Sequence, residues 1–438
     1  MRRWNVLARA RARAISGEEG LTIIELMVAL TVFAVVMTGV ASMLGTSLIT
    51  TANNRNRSVA ANLAAQEMEV VRATPFTQLP VGQTTSTQVV DGVLFTITRD
   101  SEWISQDAES GACDGQSGEA LAFLRVDVTV SWPIMSGVLP VNSRTVITPP
   151  VGAYDPNSGH LAVSVFDRAA QPQTSVPVTI SGPVTQSQST TTEGCAFFAY
   201  LPVGTYDVTL SSPGYVDGQG NSSPTQTTTV SLGTTVRVEF DYDQASTLSL
   251  TLQAPGGGSP PDGLPVTIRN SKLLPDETKI IPGAAGNTRT VPDLFPYVDG
   301  YQVWAGSCAD ADPEGQMSDG TPYYPGASRD PALSVTPGNV TNGTVTLQKT
   351  TVTVVDKNGV PVVGATVTIH HNPDNLCASG EDFTFPVATN ALGQTTAALP
   401  FGTWLFQVTG RSPEFAWPTG TIAPPALPVP FIVTVVVQ

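Results

Sequence analysis

The residues able to do chemistry are few in this 438-residue chain, and their spacing fits no common metal template. The chain has three histidines, His160, His370 and His371, and four cysteines. Neighbouring residues of a strand point to opposite faces, so His370 and His371 are not expected to bind one metal ion together with the nearby Asp374. We therefore expect no metal and no cofactor.

A run of acidic residues, Asp310 to Gly315, imitates the first half of a calcium-binding loop. The twelfth position of such a loop supplies a bidentate carboxylate, but counted from Asp310 this position is Thr321, and Pro313 is out of pattern. We interpret this run as a solvated acidic loop.

Catalytic templates are also missing from the sequence. No Ser-His-Asp spacing, nucleophile elbow or glycine-rich phosphate loop occurs in a suitable context. Three histidines leave general acid-base catalysis without an obvious agent, so the chain is not expected to be an enzyme and no catalytic residue is assigned. The net charge of −15 repels phosphate backbones and argues against a nucleic-acid partner.

The length predicts several compact units of roughly 100 to 200 residues. With 41% hydrophobic and 13% charged residues the chain is expected to fold. Five of its 21 basic residues fall within the first 20 positions, ahead of a long apolar segment.

This apolar segment runs from residue 26 to residue 49 and is long enough to span a bilayer as a helix. The arginines before it favour a cytoplasmic N-terminus, so the longer C-terminal part is expected outside. Glu25 stands at the start of the segment. A carboxylate in a lipid-spanning helix needs a partner, and a new N-terminal amine would supply one.

The residues around Glu25 resemble the class III signal of type IV prepilins and pseudopilins: Gly20 is followed by Leu21-Thr22-Ile23-Ile24-Glu25 and an uninterrupted apolar run. The resemblance implies that a prepilin peptidase cuts after Gly20 and that the new first residue, Leu21, is methylated. It also implies that Glu25 neutralises the terminal amine of a neighbouring subunit during assembly. Leu21 stands where most members have Phe, a change that the family tolerates.

The helix is expected to continue beyond the membrane as an amphipathic stem. Apolar residues recur at spacings of three, four and seven, and the pattern ends before Pro75. These residues are Val59, Ala60, Leu63, Ala64, Val70 and Val71. We expect this half to pack on a globular head, and no helix break is required at Gly39 or Gly45.

After Pro80 the apolar period changes from 3.6 to 2, which predicts strands. Residues 75–150 resemble the small antiparallel β heads of minor pilins, with Gly92 as a turn former. Beyond residue 150 the chain repeats one plan three times. The repeated runs are VPVTI (176–180) and LPVGTY (201–206), LPVTI (264–268) and LFPYVDGY (294–301), and GATVTI (364–369) and LPFGTW (399–404).

The repeats have the size of β-sandwich domains. They resemble the transthyretin-like, carboxypeptidase-regulatory-like or Cna-B-like modules of surface proteins, and residues 359–367 match that pattern best. In each repeat a β-branched run predicts a core strand, and the Pro-Gly turn returns an aromatic residue to the core.

The cysteines fall one in the head and one in each repeat, on the side predicted to be outside, where disulfides persist. Three pairings are open. We favour Cys308 with Cys377 and Cys113 with Cys195, each clamping neighbouring modules together. Free, buried thiols are the alternative.

These observations predict an α+β chain with a leader (1–20), a transmembrane and stem helix (21–74), a β head (75–150) and three β-sandwich modules (151–245, 246–348 and 349–438). The expected function is that of a minor type IV pilin or pseudopilin. It would be a single-pass protein of the cytoplasmic membrane before assembly into a surface filament, at or near its tip, where the modules serve adhesion or substrate contact. The expected partners are other pilin subunits, prepilin peptidase, the membrane and a surface ligand. The alternative is a membrane-tethered binding protein with a carbohydrate-type ligand that does not polymerise.

Overall fold

The computed structural model describes residues 22–105, 111–114, 121–135, 137–148, 157–371 and 381–438. The predicted leader with Gly20, as well as Leu21, Asp374 and Cys377, lie outside these residues. The described chain divides into two compact units. The first contains the N-terminal helix, Thr84–Asp100 and Val126–Thr145, and the second contains Val81–Gln83, Ser101–Arg125 and Val146–Gln438.

A single α-helix, α1, spans Ile23–Ala73 and has no break at Gly39 or Gly45. It ends before Pro75, which biases the preceding Thr74 to an extended conformation. The predicted long N-terminal helix is confirmed. Residues 23–52 are exposed along their whole length. The buried side chains follow at helical spacing, and they are Asn53, Ala60, Leu63, Ala64, Met68 and Val71.

The apolar face of the stem differs from the predicted one at its last turn. Val70, which we assigned to the buried face, is 49% exposed, whereas Val71 is 0% exposed. Adjacent positions of a helix point about 100° apart, so only one of two neighbouring valines can face the head squarely. Met68 takes the place expected for Val70.

Four strands follow α1 and form one sheet in the order β1-β2-β3-β4. They are β1 (Gly82–Val90), β2 (Val93–Ser105), β3 (Leu121–Ser131) and β4 (Val141–Ile147). Asp91 and Gly92 connect the first two strands with φ of 51° and 78°. Positive φ at both central residues is the geometry of a type I′ hairpin turn, which is why Gly92 suits this position.

The first sandwich pairs the sheet β10-β12-β5-β8 with the sheet β11-β9-β6-β7. Its eight strands are β5 (Ser158–Phe166), β6 (Pro177–Ser181), β7 (Gln186–Ser189), β8 (Cys195–Pro202), β9 (Gly204–Leu210), β10 (Tyr215–Asp217), β11 (Thr225–Val230) and β12 (Thr235–Gln244).

The second sandwich pairs the sheet β16-β13-β18 with the sheet β15-β14-β17. Its strands are β13 (Ser246–Gln253), β14 (Val266–Arg269), β15 (Thr278–Ile281), β16 (Thr288–Leu294), β17 (Gln302–Ala305) and β18 (Val340–Thr346). A short 3₁₀ turn, Ala309–Ala311, follows β17.

The third sandwich pairs the sheet β22-β19-β25 with the sheet β21-β20-β23-β24. Its strands are β19 (Gln348–Asp356), β20 (Val367–His371), β21 (Asp382–Thr384), β22 (Gln394–Leu399), β23 (Gly402–Val408), β24 (Thr419–Ile422) and β25 (Phe431–Val437). The α+β architecture with β-sandwich modules is thereby confirmed.

All three sandwiches share one topology. The first strand of each lies in the middle of its sheet and pairs in parallel with the last strand: β5 with β12, β13 with β18, and β19 with β25. A parallel pair needs a long connection, and in each sandwich the remaining strands provide it. The second and third sandwiches contribute to one continuous hydrophobic cluster, whereas the strands of the first mostly enclose their own.

Candidate functional site

The start of α1 is fixed by a capping box between Thr22 and Glu25. The backbone N–H of Glu25 donates to Thr22 Oγ1 at 3.3 Å, and the backbone N–H of Thr22 donates to Glu25 Oε2 at 3.1 Å. This pattern satisfies two N–H groups that have no partner within the helix. Glu25 is therefore held in the first turn, where its negative charge also complements the helix dipole.

Glu25 lies at one end of an apolar stripe along α1. A shallow groove of the helix surface is lined by Ile24, Glu25, Val28, Ala29, Val32, Phe33 and Val36. The helix is long and apolar enough to cross a membrane, judged by length and composition. An exposed helix surface of this kind requires lipid or other apolar helices as its surroundings.

Asn53 connects the stem to the sheet of the first unit. It is 5% exposed, and its Oδ1 accepts a hydrogen bond from Trp132 Nε1 at 3.1 Å. Its Nδ2 donates to the Met135 carbonyl at 3.1 Å. Sequence reasoning missed this residue because Asn53 lies near the end of an uncharged run and gives no signal of a buried partner.

The repeated turn of the three sandwiches places one aromatic side chain in each core. Tyr206, Tyr301 and Trp404 are each 0% exposed, and each donates a hydrogen bond to a backbone carbonyl a few residues upstream. Burial raises the pKa of Tyr206, so its hydroxyl keeps the proton that it donates. The three hydrogen bonds are Tyr206 Oη to the Pro202 carbonyl (3.0 Å), Tyr301 Oη to the Phe295 carbonyl (2.7 Å) and Trp404 Nε1 to the Pro400 carbonyl (3.3 Å).

Of the predicted site residues in the described parts of the chain, two are brought together. Cys113 and Cys195 form a disulfide across 82 residues of sequence, with their Cα atoms 5.9 Å apart. Cys308 is disulfide-bonded and 3% exposed. The partner that we predicted for it, Cys377, lies outside the described residues, and that pairing stays a prediction.

An aromatic cluster surrounds His160 beside this disulfide. Its ring stacks on Phe197 at 5.7 Å and lies 4.9 Å from the ring of Tyr200 and 6.4 Å from that of Trp103. His160 Nδ1 accepts a hydrogen bond from the Tyr200 backbone N–H at 3.3 Å. Burial lowers the pKa of His160 to about 4, so the imidazole is neutral at pH 7.

Hydrogen bonds to backbone carbonyls join the first and second sandwiches. Arg168 Nη1 donates to the Val335 carbonyl at 2.7 Å. In the other direction, the hydroxyl of Tyr297 donates to the Gly218 carbonyl at 2.7 Å.

The prediction of a solvated acidic loop at 310–315 is wrong. Asp310 Oδ1 lies 2.5 Å from His371 Nε2, and both side chains are 1% exposed. Asp310 Oδ2 also accepts the Thr403 backbone N–H at 3.0 Å. Asp312 is held by Arg329 through two nitrogens, each at 2.7 Å. Asp310 is buried against the third sandwich, and Asp312 is partly buried against Arg329.

The two adjacent histidines point to opposite faces of β20, as the strand period predicts. His371 is 5% exposed and faces Asp310, whereas His370 is partly exposed and its Nδ1 lies 2.6 Å from Asp382. The two rings therefore do not share a ligand site.

The comparison with protein families identifies one segment of the chain. Residues 15–41 match the model described as the prokaryotic N-terminal methylation motif. This match covers the capping box and the first part of α1, and it leaves the β modules unassigned. No curated protein matches the sequence significantly.

Three solved structures are among those that this chain resembles. The Bacillus anthracis TIE protein is 15% identical, with 86% of this chain and 78% of that chain covered and a TM-score of 0.21. BcpA, the major pilin subunit of Bacillus cereus, is 10% identical, with coverages of 64% and 99% and a TM-score of 0.19. The fimbrial protein FimP from Actonomyces oris is 13% identical, with coverages of 66% and 100% and a TM-score of 0.20. TM-scores this low support no inference about function.

The methylation motif, its position at the start of a long apolar helix and the β modules that follow together fit a membrane-anchored, pilin-type filament subunit. The chain carries the N-terminal methylation motif of type IV prepilin-like proteins.

Proposed function

We propose that this chain is a minor type IV pilin or pseudopilin that a prepilin peptidase processes after Gly20. Leu21 becomes the methylated first residue, and the N-terminus starts on the cytoplasmic side of the membrane. The observation that carries the proposal is the methylation motif at the head of one unbroken helix whose residues 23–52 are all exposed. Such a surface becomes buried when helices of other subunits pack around it.

Glu25 is the proposed assembly residue. A carboxylate surrounded by Ile24, Val28 and Ala29 is unfavourable in a lipid or helix-packed setting unless a cation lies near it. The terminal amine of a neighbouring processed subunit supplies that charge. The capping box supports this role because Thr22 keeps the carboxylate at the end of the helix, close to where such an amine would lie.

The filament position follows from the size of the modules. The three sandwiches extend from Ser158 to Val437, which is more than half of the chain. This bulk would crowd neighbours if every subunit along a shaft carried it. We therefore assign the chain to low copy number at or near the tip, where the modules contact a surface or a carbohydrate-type ligand.

Substitution of Glu25 tests the proposal. We expect Glu25→Ala to be processed and inserted in the membrane but to lose co-isolation with other pilin subunits in sheared filaments. Glu69→Ala is the matched control, because Glu69 is an exposed acid of the same helix that pairs with Arg72 at the surface. Assembly of Glu25→Ala at the wild-type level would contradict the proposal.

The filament position has a test of its own. Antibodies against the third sandwich, applied to filaments with gold labelling, should mark filament ends. Labelling along the whole shaft would contradict a tip position. Surface labelling without any co-isolated pilin, unchanged by Glu25→Ala, would instead identify a tethered binding protein that does not polymerise.

A further inference from the structure

Three potential metal ligands from two modules lie together where the second sandwich meets the third. Cys308 Sγ, a ring nitrogen of His371 and a carboxylate oxygen of Glu381 lie within 4.8 Å of one another, and all three residues are buried. Cys308 follows β17 of the second sandwich, whereas His371 ends β20 and Glu381 precedes β21 of the third. Thiolate, imidazole and carboxylate are the protein ligands of zinc.

Two of these side chains have a buried polar atom with no hydrogen-bond partner among the described residues. They are Nδ1 of His371 and Oε2 of Glu381, in residues that are 5% and 6% exposed. The other oxygen of Glu381 accepts the Ser307 backbone N–H at 2.7 Å. A buried polar atom without a partner is unfavourable, so two within one cluster favour the binding of a ligand there.

Asp310 orients the histidine of this cluster. Its carboxylate lies 2.5 Å from His371 Nε2, which leaves Nδ1 as the nitrogen able to bind a ligand. A carboxylate on the far nitrogen is the usual support of a metal-binding histidine, because it fixes the tautomer and the ring orientation. Asp310 and Glu381 also bring two carboxylates into a buried region, which a divalent cation would compensate.

We propose that Cys308, His371 and Glu381 form a binding site for a divalent ion of the zinc type when the disulfide of Cys308 is reduced. In the disulfide state the Cys308 sulfur has no negative charge to donate to a metal. A dithiol reductant passes two electrons and two protons to that bond, leaves both protein sulfurs as thiols, and itself becomes a cyclic disulfide. The metal ion then replaces the proton of the Cys308 thiol, and the proton goes to buffer.

The disulfide and the bound metal are therefore alternative states of the contact between the second and third sandwiches. The metal ion would connect Cys308 of the second sandwich with His371 and Glu381 of the third, so the two modules stay linked before the disulfide forms or after it opens. Zinc fits better than calcium or magnesium, because a thiolate and an imidazole are poor ligands for hard cations.

Metal uptake by the full-length chain in detergent tests the proposal. The chain is reduced with a dithiol, freed of reductant without oxygen, mixed with zinc sulfate alone and passed through a desalting column. We expect about one bound zinc per reduced chain and none per oxidised chain. His371→Gln and Glu381→Gln should weaken zinc binding at least ~10-fold, and Asp310→Asn by ~10- to 100-fold as the loss of an orienting group.

His370→Gln is the matched control, because His370 neighbours His371 but lies on the other face of β20. It should bind zinc like the wild type. Cobalt in place of zinc gives a second readout on the wild-type chain, since a thiolate ligand produces a charge-transfer absorption band. That band should disappear in Cys308→Ser and persist in Cys113→Ser.

The proposal is overturned if the reduced chain binds no zinc or if His371→Gln binds it as tightly as His370→Gln does. If His371→Gln fails to fold, the cobalt spectrum of the reduced wild type decides. Absence of a thiolate band, or a band that persists in Cys308→Ser, also overturns the proposal.

Discussion

Asn53 Oδ1 accepts the indole N–H of Trp132 at 3.1 Å, and both residues are 5% exposed. This contact joins the end of the exposed part of α1 to the side chain of Trp132, which follows β3 of the sheet in the same unit. The ring of Trp132 in turn lies 6.2 Å from that of Phe95. One amide side chain thus marks the point on α1 where the exposed apolar part ends and the packed stem begins.

Removal of this amide should loosen the stem from the head. Asn53→Ala leaves the buried Trp132 N–H and the partly buried Met135 carbonyl without their partner, which costs roughly 1 to 3 kcal/mol. We expect faster hydrogen exchange in residues 60–71 of α1. Asn54→Ala, at an exposed neighbouring position, should leave the exchange unchanged, and equal exchange in both variants would contradict this assignment.

The aromatic turn of the sandwiches predicts a second effect. Tyr206→Phe keeps the ring in the core but removes the hydrogen bond to the Pro202 carbonyl, so we expect a loss of about 1 kcal/mol in the free energy of unfolding. Urea unfolding followed by circular dichroism measures this free energy. Tyr323→Phe is the control, because Tyr323 is only partly buried. No difference between the two variants would show that the hydrogen bond is not stabilising.

The buried His160 predicts a pH dependence of stability. Burial lowers its pKa from 6.5 to about 4, so between these values the unfolded chain binds a proton that the folded chain does not. The free energy of unfolding therefore falls as the pH drops from 6.5 towards 4, by roughly 3 kcal/mol at most, and His160 does not lower it above pH 6.5.

His160→Gln should flatten the fall in unfolding free energy between pH 6.5 and 4, relative to the wild type. His370→Gln serves as the control because that ring lies outside the aromatic cluster. If the unfolding free energy of His160→Gln fell with pH as steeply as that of the wild type, the pKa of His160 would not be lowered in the folded chain.

The disulfide between Cys113 and Cys195 should be a major source of stability. It closes a loop across 82 residues, for which loop-closure entropy gives about 4.5 kcal/mol. We expect the double variant Cys113→Ser/Cys195→Ser to unfold at clearly lower urea concentration. An unfolding midpoint within error of the wild type would contradict a stabilising role.

Much of this fold could be predicted because its signals are local. The apolar run and the motif before it predict α1, and the β-branched run at 176–180 predicts β6. A strand or helix is decided within a window of ten or so residues, where periodicity is visible.

The contacts between modules could not be predicted, because they join residues that are far apart in the sequence. Asp310 and His371 are 61 residues apart and belong to different modules, so no spacing rule connects them. Repetition did not help either. Thr190 Oγ1 accepts the Val176 N–H at 2.9 Å, and Thr389 Oγ1 accepts the Ala365 N–H at 2.8 Å. The two partners are 14 residues apart in the first bond and 24 in the second. The longer segment in the third sandwich shifts the equivalent threonine, so the spacing does not reveal the equivalence.

The proposed role as a pilin-type subunit depends on processing at the start of α1. Mass spectrometry of the chain isolated from its native membrane or filament measures that directly. We predict a mature protein that begins at Leu21 with a methylated amine and lacks the basic residues 1–20. A natural product that retains this leader intact would contradict the assignment as a pilin-type subunit.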